Sequence, residues 1–306
     1  MEYERFQARD ECIRNAADQA AVTEGLSAAI IEDFLRTGKE NWEGAGSGRF
    51  SLAQFKEDAA YTRATKFALR TLFQLLANLL PVEARLAPRV PADTIHERIE
   101  PMITGLVQDD WREVALHEIT RRTFVLNFQG TVAAIEAELS TCFRGSAWRI
   151  LWALFEDYGL KPDNIEVGCD GLAGDYAHVR WSAYETNDPY SDVVVHEAAH
   201  LLHYLKPNHY GLHVRRHQER FIDAEFQYRE LLAYACEAYS RVILHGDRKS
   251  RIAFAERMQE DAFSFPQDQV AEVAKLVVGA ARVRNGWRVI RDATVIHRHG
   301  KRTKSI

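Results

Sequence analysis

The sequence predicts an α+β protein, mostly helical, with a small mixed or antiparallel sheet and a helical N-terminal region. Three observations carry that prediction. Long stretches repeat their apolar residues at helical spacing, two short stretches in the middle of the chain alternate as strands do, and one apolar segment from Val193 to Leu202 bears two histidines four positions apart. At 306 residues the chain can bury one large core or two smaller ones. A soft boundary divides it into residues 1–120, helical, and residues 121–306, which hold the histidine segment.

From the N-terminus, Ile13 to Arg36 and Leu52 to Leu80 read as helices. In the second, Leu69, Leu72, Phe73, Leu75, Leu76, Leu79 and Leu80 recur at helical spacing and form a broad apolar face suited to core packing. Gly44-Ala45-Gly46-Ser47-Gly48 marks a loop or hinge between them, and Pro81, Pro88 and Pro91 separate this helical portion from the remainder of the chain. Thr123 to Phe128 looks like a strand, and Thr131 to Tyr158 is helical with a break near Gly145. Asn164 to Cys169 and Ala177 to Tyr184 alternate like strands, with a turn rich in glycine and aspartate between them. Pro266 to Ala281 forms an amphipathic helix, and Trp287-Arg288-Val289-Ile290 reads as a closing strand.

The segment His196-Glu197-Ala198-Ala199-His200 spells H-E-x-x-H. On a helix, positions i and i+4 share a face, so both imidazoles can reach one ion while the intervening glutamate serves a water as general base. Asp188-Pro189-Tyr190 followed by Ser191 and Asp192 is able to start and cap that helix. Apolar residues fall on nearly every side of it, so the histidines and the glutamate would be buried and need partners, which a metal supplies.

Catalytic zinc takes three protein ligands and keeps one position open. His203 lies one turn further along the helix, too far to share an ion held between the first two. The pattern H-E-x-x-H-x-x-G-x-x-H fails at His203 and Lys206. A glutamate from a later helix is the other solution. In the helical run Tyr228 to Tyr239, Glu230, Ala233 and Glu237 share one face, and Glu225 lies just upstream. Glu230, Glu225 and Glu237 are therefore rivals for the third place, with Glu237 better suited to hold a ligand imidazole by its free N–H.

E-x-x-A-x-x-x-E downstream of H-E-x-x-H resembles the second motif of the gluzincin metallopeptidases. The two stretches Val193 to His200 and Glu230 to Glu237 are most similar to the Mlc titration factor family, and H-E-x-x-H-L-L-H is also similar to the regulatory peptidases that cleave phage-type repressors. The resemblance covers two short helical stretches. It implies a zincin-like metallopeptidase fold, a Zn²⁺ ion held by His196, His200 and Glu230, and Glu197 as general base. It also implies a sheet edge over the zinc, for which Ala177 to Tyr184 is the candidate, able to pair with an extended peptide.

Other residues are read around that centre. Tyr234 and Tyr239 are candidates to stabilise an oxyanion, and also fit as packing residues. His209, His213 and His217 recur every four residues, but Pro207, Asn208 and Gly211 argue against a helix there. Glu166-Val167-Gly168-Cys169 is similar to the cysteine motif of peptide deformylases, but Val167 interrupts it, and a plain buried thiol is the simpler reading. Cys12, Cys142, Cys169 and Cys236 are scattered and suggest neither a zinc knuckle nor a disulfide framework.

A net charge of −5 gives no electrostatic case for nucleic-acid binding, and the basic stretch Arg298 to Lys304 is too short to alter that. Neither a secretory signal nor an apolar run of membrane-spanning length is visible, so the expected location is cytoplasmic, without a membrane partner. The sequence thus points to a zinc metallopeptidase acting on peptide or protein substrates. The alternative is a non-catalytic or latent regulatory protein that keeps a structural zinc site, and the intact Glu197 argues against it.

Overall fold

The computed structural model describes residues 2–38, 52–140, 144–163, 165, 171–173, 175–214 and 218–295. The expected hinge at 44–48, most of the strand at 164–169, His217, Cys142, Cys169 and the basic tail lie outside them. The described chain is predominantly helical with one small sheet. It separates into two compact units, residues 1–89 with 126–169, and residues 90–125 with 170–306.

The first unit contains α1 (Glu2–Glu24), α2 (Ala28–Thr37), α3 (Leu52–Ala77) and α4 (Val82–Leu86), then α7 (Phe128–Ser140) and α8 (Arg144–Asp157). The helix expected over 13–36 is two helices. Gly25 takes the left-handed conformation at φ 68° and breaks the run, which an L side chain would resist. On α1, Ile13, Ala16, Ala17 and Ala20 are fully buried at helical spacing, and on α3 Leu69, Leu72 and Leu76 do the same. Asn127 starts α7, its side-chain oxygen accepting the Gly130 amide at 2.9 Å. Trp148 on α8 donates its indole N–H to the Leu35 carbonyl at 2.8 Å.

The second unit holds α5 (Ala92–Leu106), α6 (Asp109–Arg122), β1 (Thr123–Leu126), β2 (Gly171–Ala173), β3 (Ala177–Arg180), α9 (Trp181–Tyr184) and α10 (Val193–Tyr204). It continues through 3-10 turns at Pro207–Tyr210 and Phe226–Tyr228 to α11 (Arg229–Val242), α12 (Arg248–Glu256), α13 (Met258–Asp261), α14 (Val270–Ala281) and α15 (Gly286–Thr294). α10 runs through the middle, against α5, α6, α11, β2 and β3. Its Val194, Val195, Ala198, Ala199, Leu201 and Leu202 are all fully buried. The packing thus groups α5, N-terminal to the soft boundary near residue 120, and α6, which spans it, with the histidine helix.

The sheet has the order β1-β3-β2. β2 runs antiparallel to β3, with Gly171 opposite Val179 and Ala173 opposite Ala177. β1 and β3 form a parallel pair, so the sheet is mixed; of the two forms expected, the antiparallel one is corrected. Parallel neighbours need a long crossover, and here the chain leaves β1 into α7 and α8 before returning. Two further expectations change. The strand read over 177–184 ends at Arg180, turns into α9, and lies in the middle of the sheet, so it offers no free edge. The closing strand read over 287–290 is part of α15, whose start is capped by Asn285 accepting the Arg288 amide at 3.2 Å. Among the described residues no helix is long and apolar enough to cross a membrane.

Candidate metal centre

The turn before α10 fixes where the motif helix begins. Asp188 is buried and its carboxylate accepts the Tyr190 amide, the Phe263 and Ser264 amides, each at 2.8 Å, and the Ser264 hydroxyl at 2.5 Å. Burial pushes the Asp188 carboxyl up, but these hydrogen bonds outweigh it and hold the group below its ordinary value. The Tyr190 hydroxyl reaches the Phe254 carbonyl at 2.8 Å. Asp192 occupies the N-cap position, yet its side chain makes no capping hydrogen bond. It lies 3.4 Å from Arg98 of α5, and burial raises its pKa against that attraction. The helix start was readable from sequence, but the Arg98 contact was not, since nothing local marks it.

From that start, His196 and His200 project from one face of α10, with Nε2 atoms 3.2 Å apart. Glu230, in the first turn of α11, brings Oε2 to 3.7 Å from Nε2 of His196 and 3.5 Å from Nε2 of His200. These three donor atoms all lie within 4.8 Å of one another, and they form the one such cluster found among the described residues. Zinc bonds of about 2.05 Å in tetrahedral geometry place donor atoms about 3.3 Å apart. The donor set and its spacing therefore fit a single zinc ion. Ala233, fully buried one turn beyond Glu230, leaves room for the two helices to approach.

Glu237 takes the place foreseen for it. Its Oε2 lies 3.0 Å from Nδ1 of His196, leaving Nε2 of that ring facing the cluster. Burial works against charge on His196, but the Glu237 carboxylate beside it prevails and raises its pKa. For His200, burial prevails and lowers the pKa, and its Nδ1 is buried with no hydrogen-bond partner among the described residues. Hydrogen bonding to His200 holds the Glu230 carboxyl below its ordinary value. Glu225 is not in the donor cluster; its carboxylate instead takes a hydrogen bond from Gln227 at 3.1 Å.

Glu197 is 5% exposed and makes no hydrogen bond to another described residue. Burial, reinforced by Glu230 and Glu237 and opposed by His196, pushes its carboxyl up to about 7. A carboxylate poised there can both take and return a proton near neutral pH.

The remaining candidates separate clearly. The Tyr234 ring meets the His196 ring edge-on at 4.5 Å and so stands beside the centre. Tyr239 packs against Trp287 at 4.8 Å and is 4% exposed, a packing residue. His203 is buried outside the cluster, with burial pushing its pKa down to about 3. His209 and His213 are exposed. Cys236 is wholly buried, and burial pushes its thiol upward, away from reactivity. Comparison of the chain with protein-family models, curated proteins and solved structures finds no match.

Proposed function

We propose that the protein is a zinc-dependent metallohydrolase, most simply a peptidase of the gluzincin kind with a zincin-like core. The observation that carries this reading is the convergence of His196, His200 and Glu230 on one point from two packed helices, beside an unengaged Glu197. His196, His200 and Glu230 would hold the ion. When bound, zinc supplies a Lewis acid that polarises a carbonyl and lowers the pKa of a water toward ~7.

The protein's own residues supply the rest. Glu197 accepts the proton of the attacking water and returns it to the leaving nitrogen. Glu237 fixes the tautomer and orientation of His196 through Nδ1. An intact and unpartnered base supports hydrolysis over a purely structural zinc site, which has no use for one.

Metal analysis of purified protein tests the reading, with His196→Ala, Glu230→Ala and Glu197→Gln alongside. We expect about one zinc per chain in wild type and in Glu197→Gln, and loss in the other two. Peptide hydrolysis is expected in wild type and absent in Glu197→Gln. Wild-type hydrolysis by Glu197→Gln, or no zinc uptake by wild type, overturns the proposal.

A further inference from the structure

Arg229 precedes Glu230 at the start of α11 and lies against two aromatic rings. Its guanidinium carbon lies 5.0 Å from the Phe226 ring and 6.0 Å from the Tyr204 ring. Tyr204 in turn stacks on His200 with ring centroids 6.4 Å apart and 29° between planes. The Nε of Arg229 is buried and has no hydrogen-bond partner, and no carboxylate pairs with the side chain among the described residues. The next residue, Glu230, carries one donor atom of the His196, His200 and Glu230 cluster, which places Arg229 beside the candidate metal centre. Phe226 is 84% exposed, so its ring is open to solvent beside the guanidinium.

A guanidinium steadied by aromatic faces keeps its edge available, and its forked donors match a carboxylate bidentately. A buried donor without a partner is a cost that an incoming anion removes. Resting on the peptidase reading above, we infer that Arg229 is the specificity residue of this site, accepting a carboxylate of the peptide substrate while Phe226 and Tyr204 contact its apolar portion. That carboxylate is either the free C-terminus or an acidic side chain.

Binding to the full-length, zinc-loaded Glu197→Gln protein tests this without turnover. Two pairs of probes are titrated calorimetrically: an N-acetylated tripeptide ending in phenylalanine as free acid and as amide, and a doubly blocked pentapeptide carrying Glu or Gln. We expect the acidic member of at least one pair to bind roughly 10-fold tighter or more, by charge-assisted hydrogen bonding. The pair that discriminates identifies the source of the carboxylate. Adding Arg229→Gln should erase the preference, and Arg229→Lys should keep part of it. Should Arg229→Gln fail to fold, the acid-to-neutral ratios in the parent and in Arg229→Lys still decide. Equal binding within both pairs, no binding of any probe, or a preference that survives Arg229→Gln overturns the inference. Acidic peptides that bind here but are not cleaved by the wild-type protein would instead sink the hydrolase reading and leave the role of Arg229 standing.

Discussion

Nδ1 of His196 lies 3.0 Å from Oε2 of Glu237, and the other oxygen of that carboxylate is engaged as well. Oε1 accepts the Ser191 hydroxyl at 2.6 Å and the Asp192 amide at 3.0 Å. One buried side chain on α11 therefore holds the first turn of α10 and the ring that α10 presents to the centre. This fixes the expected tautomer, with Nδ1–H donating to Glu237 and the Nε2 lone pair turned toward His200 and Glu230.

Glu237→Ala removes the acceptor for all three donors, and buried donors left unpaired cost about 1–3 kcal/mol each. Glu237→Gln keeps one acceptor but loses the charge that raises the basicity of His196. We expect zinc affinity to fall about 10- to 100-fold in Glu237→Gln, in line with losses of such outer partners. Competition against a chromophoric chelator measures this, and unchanged affinity would show that His196 needs no such support.

Asp188 gives a pH-dependent prediction away from the centre. Its folded pKa lies below its ordinary value of 3.8, so the carboxylate contributes stability above that value and loses it as pH falls through the folded pKa. Asp188→Asn should destabilise the protein by about 1–3 kcal/mol near pH 7. The gap between wild type and variant should narrow as pH is lowered below about 4, once the wild-type carboxylate protonates. Urea melts at a series of pH values check it; a gap independent of pH would assign the loss to shape, not charge.

Glycine positions separate crowded from open sites. A Cβ at Gly105 on α5 would sit 2.1 Å from Cδ1 of Trp287 on α15. Gly105→Ala must push the indole aside and should cost about 1–3 kcal/mol. At Gly145, in α8, nothing lies within 4 Å of the added carbon. Gly145→Ala should be neutral or stabilising by up to about 1 kcal/mol. Thermal melts of the two variants compare them, and equal stabilities would contradict the packing.

The grouping of His196, His200 and Glu230 was legible because its signals are local and periodic. His196 and His200 are one turn apart, and Glu230 and Glu237 are two turns apart, so helical geometry alone places each pair on a face. What escaped the sequence depends on distant contacts. Nothing near Asp192 announces Arg98, and nothing near Asp188 announces Ser264. The segment 287–290 failed as a strand because four residues cannot distinguish the two periods. Its helical signals lay just outside, in the Asn285 cap and in Thr294, which is buried on the same side as Trp287 and Ile290. Residues 177–184 failed similarly: alternation persists past Arg180, but the chain turns into α9 there, and no alternation shows which strand becomes the middle of a sheet.

Metal removal tests how far the centre also joins the helices it lies between. His196 and His200 come from α10 and Glu230 from α11, so an ion bound by all three links the helices in the folded state alone. A ligand that binds only the folded chain stabilises it by about 2.7 kcal/mol when free ligand exceeds Kd 100-fold. We therefore expect zinc to raise the melting temperature and a chelator to reverse the rise. Glu197→Gln should respond as wild type does, because Glu197 donates nothing to the cluster. His196→Ala, His200→Ala and Glu230→Ala should each respond weakly or not at all. The Glu230 variant is the most informative of these, because its carboxylate is the only donor from α11. If Glu230→Ala kept the full zinc response, the ion would be held by α10 alone, and the helix pair would owe its geometry to apolar packing and Glu237.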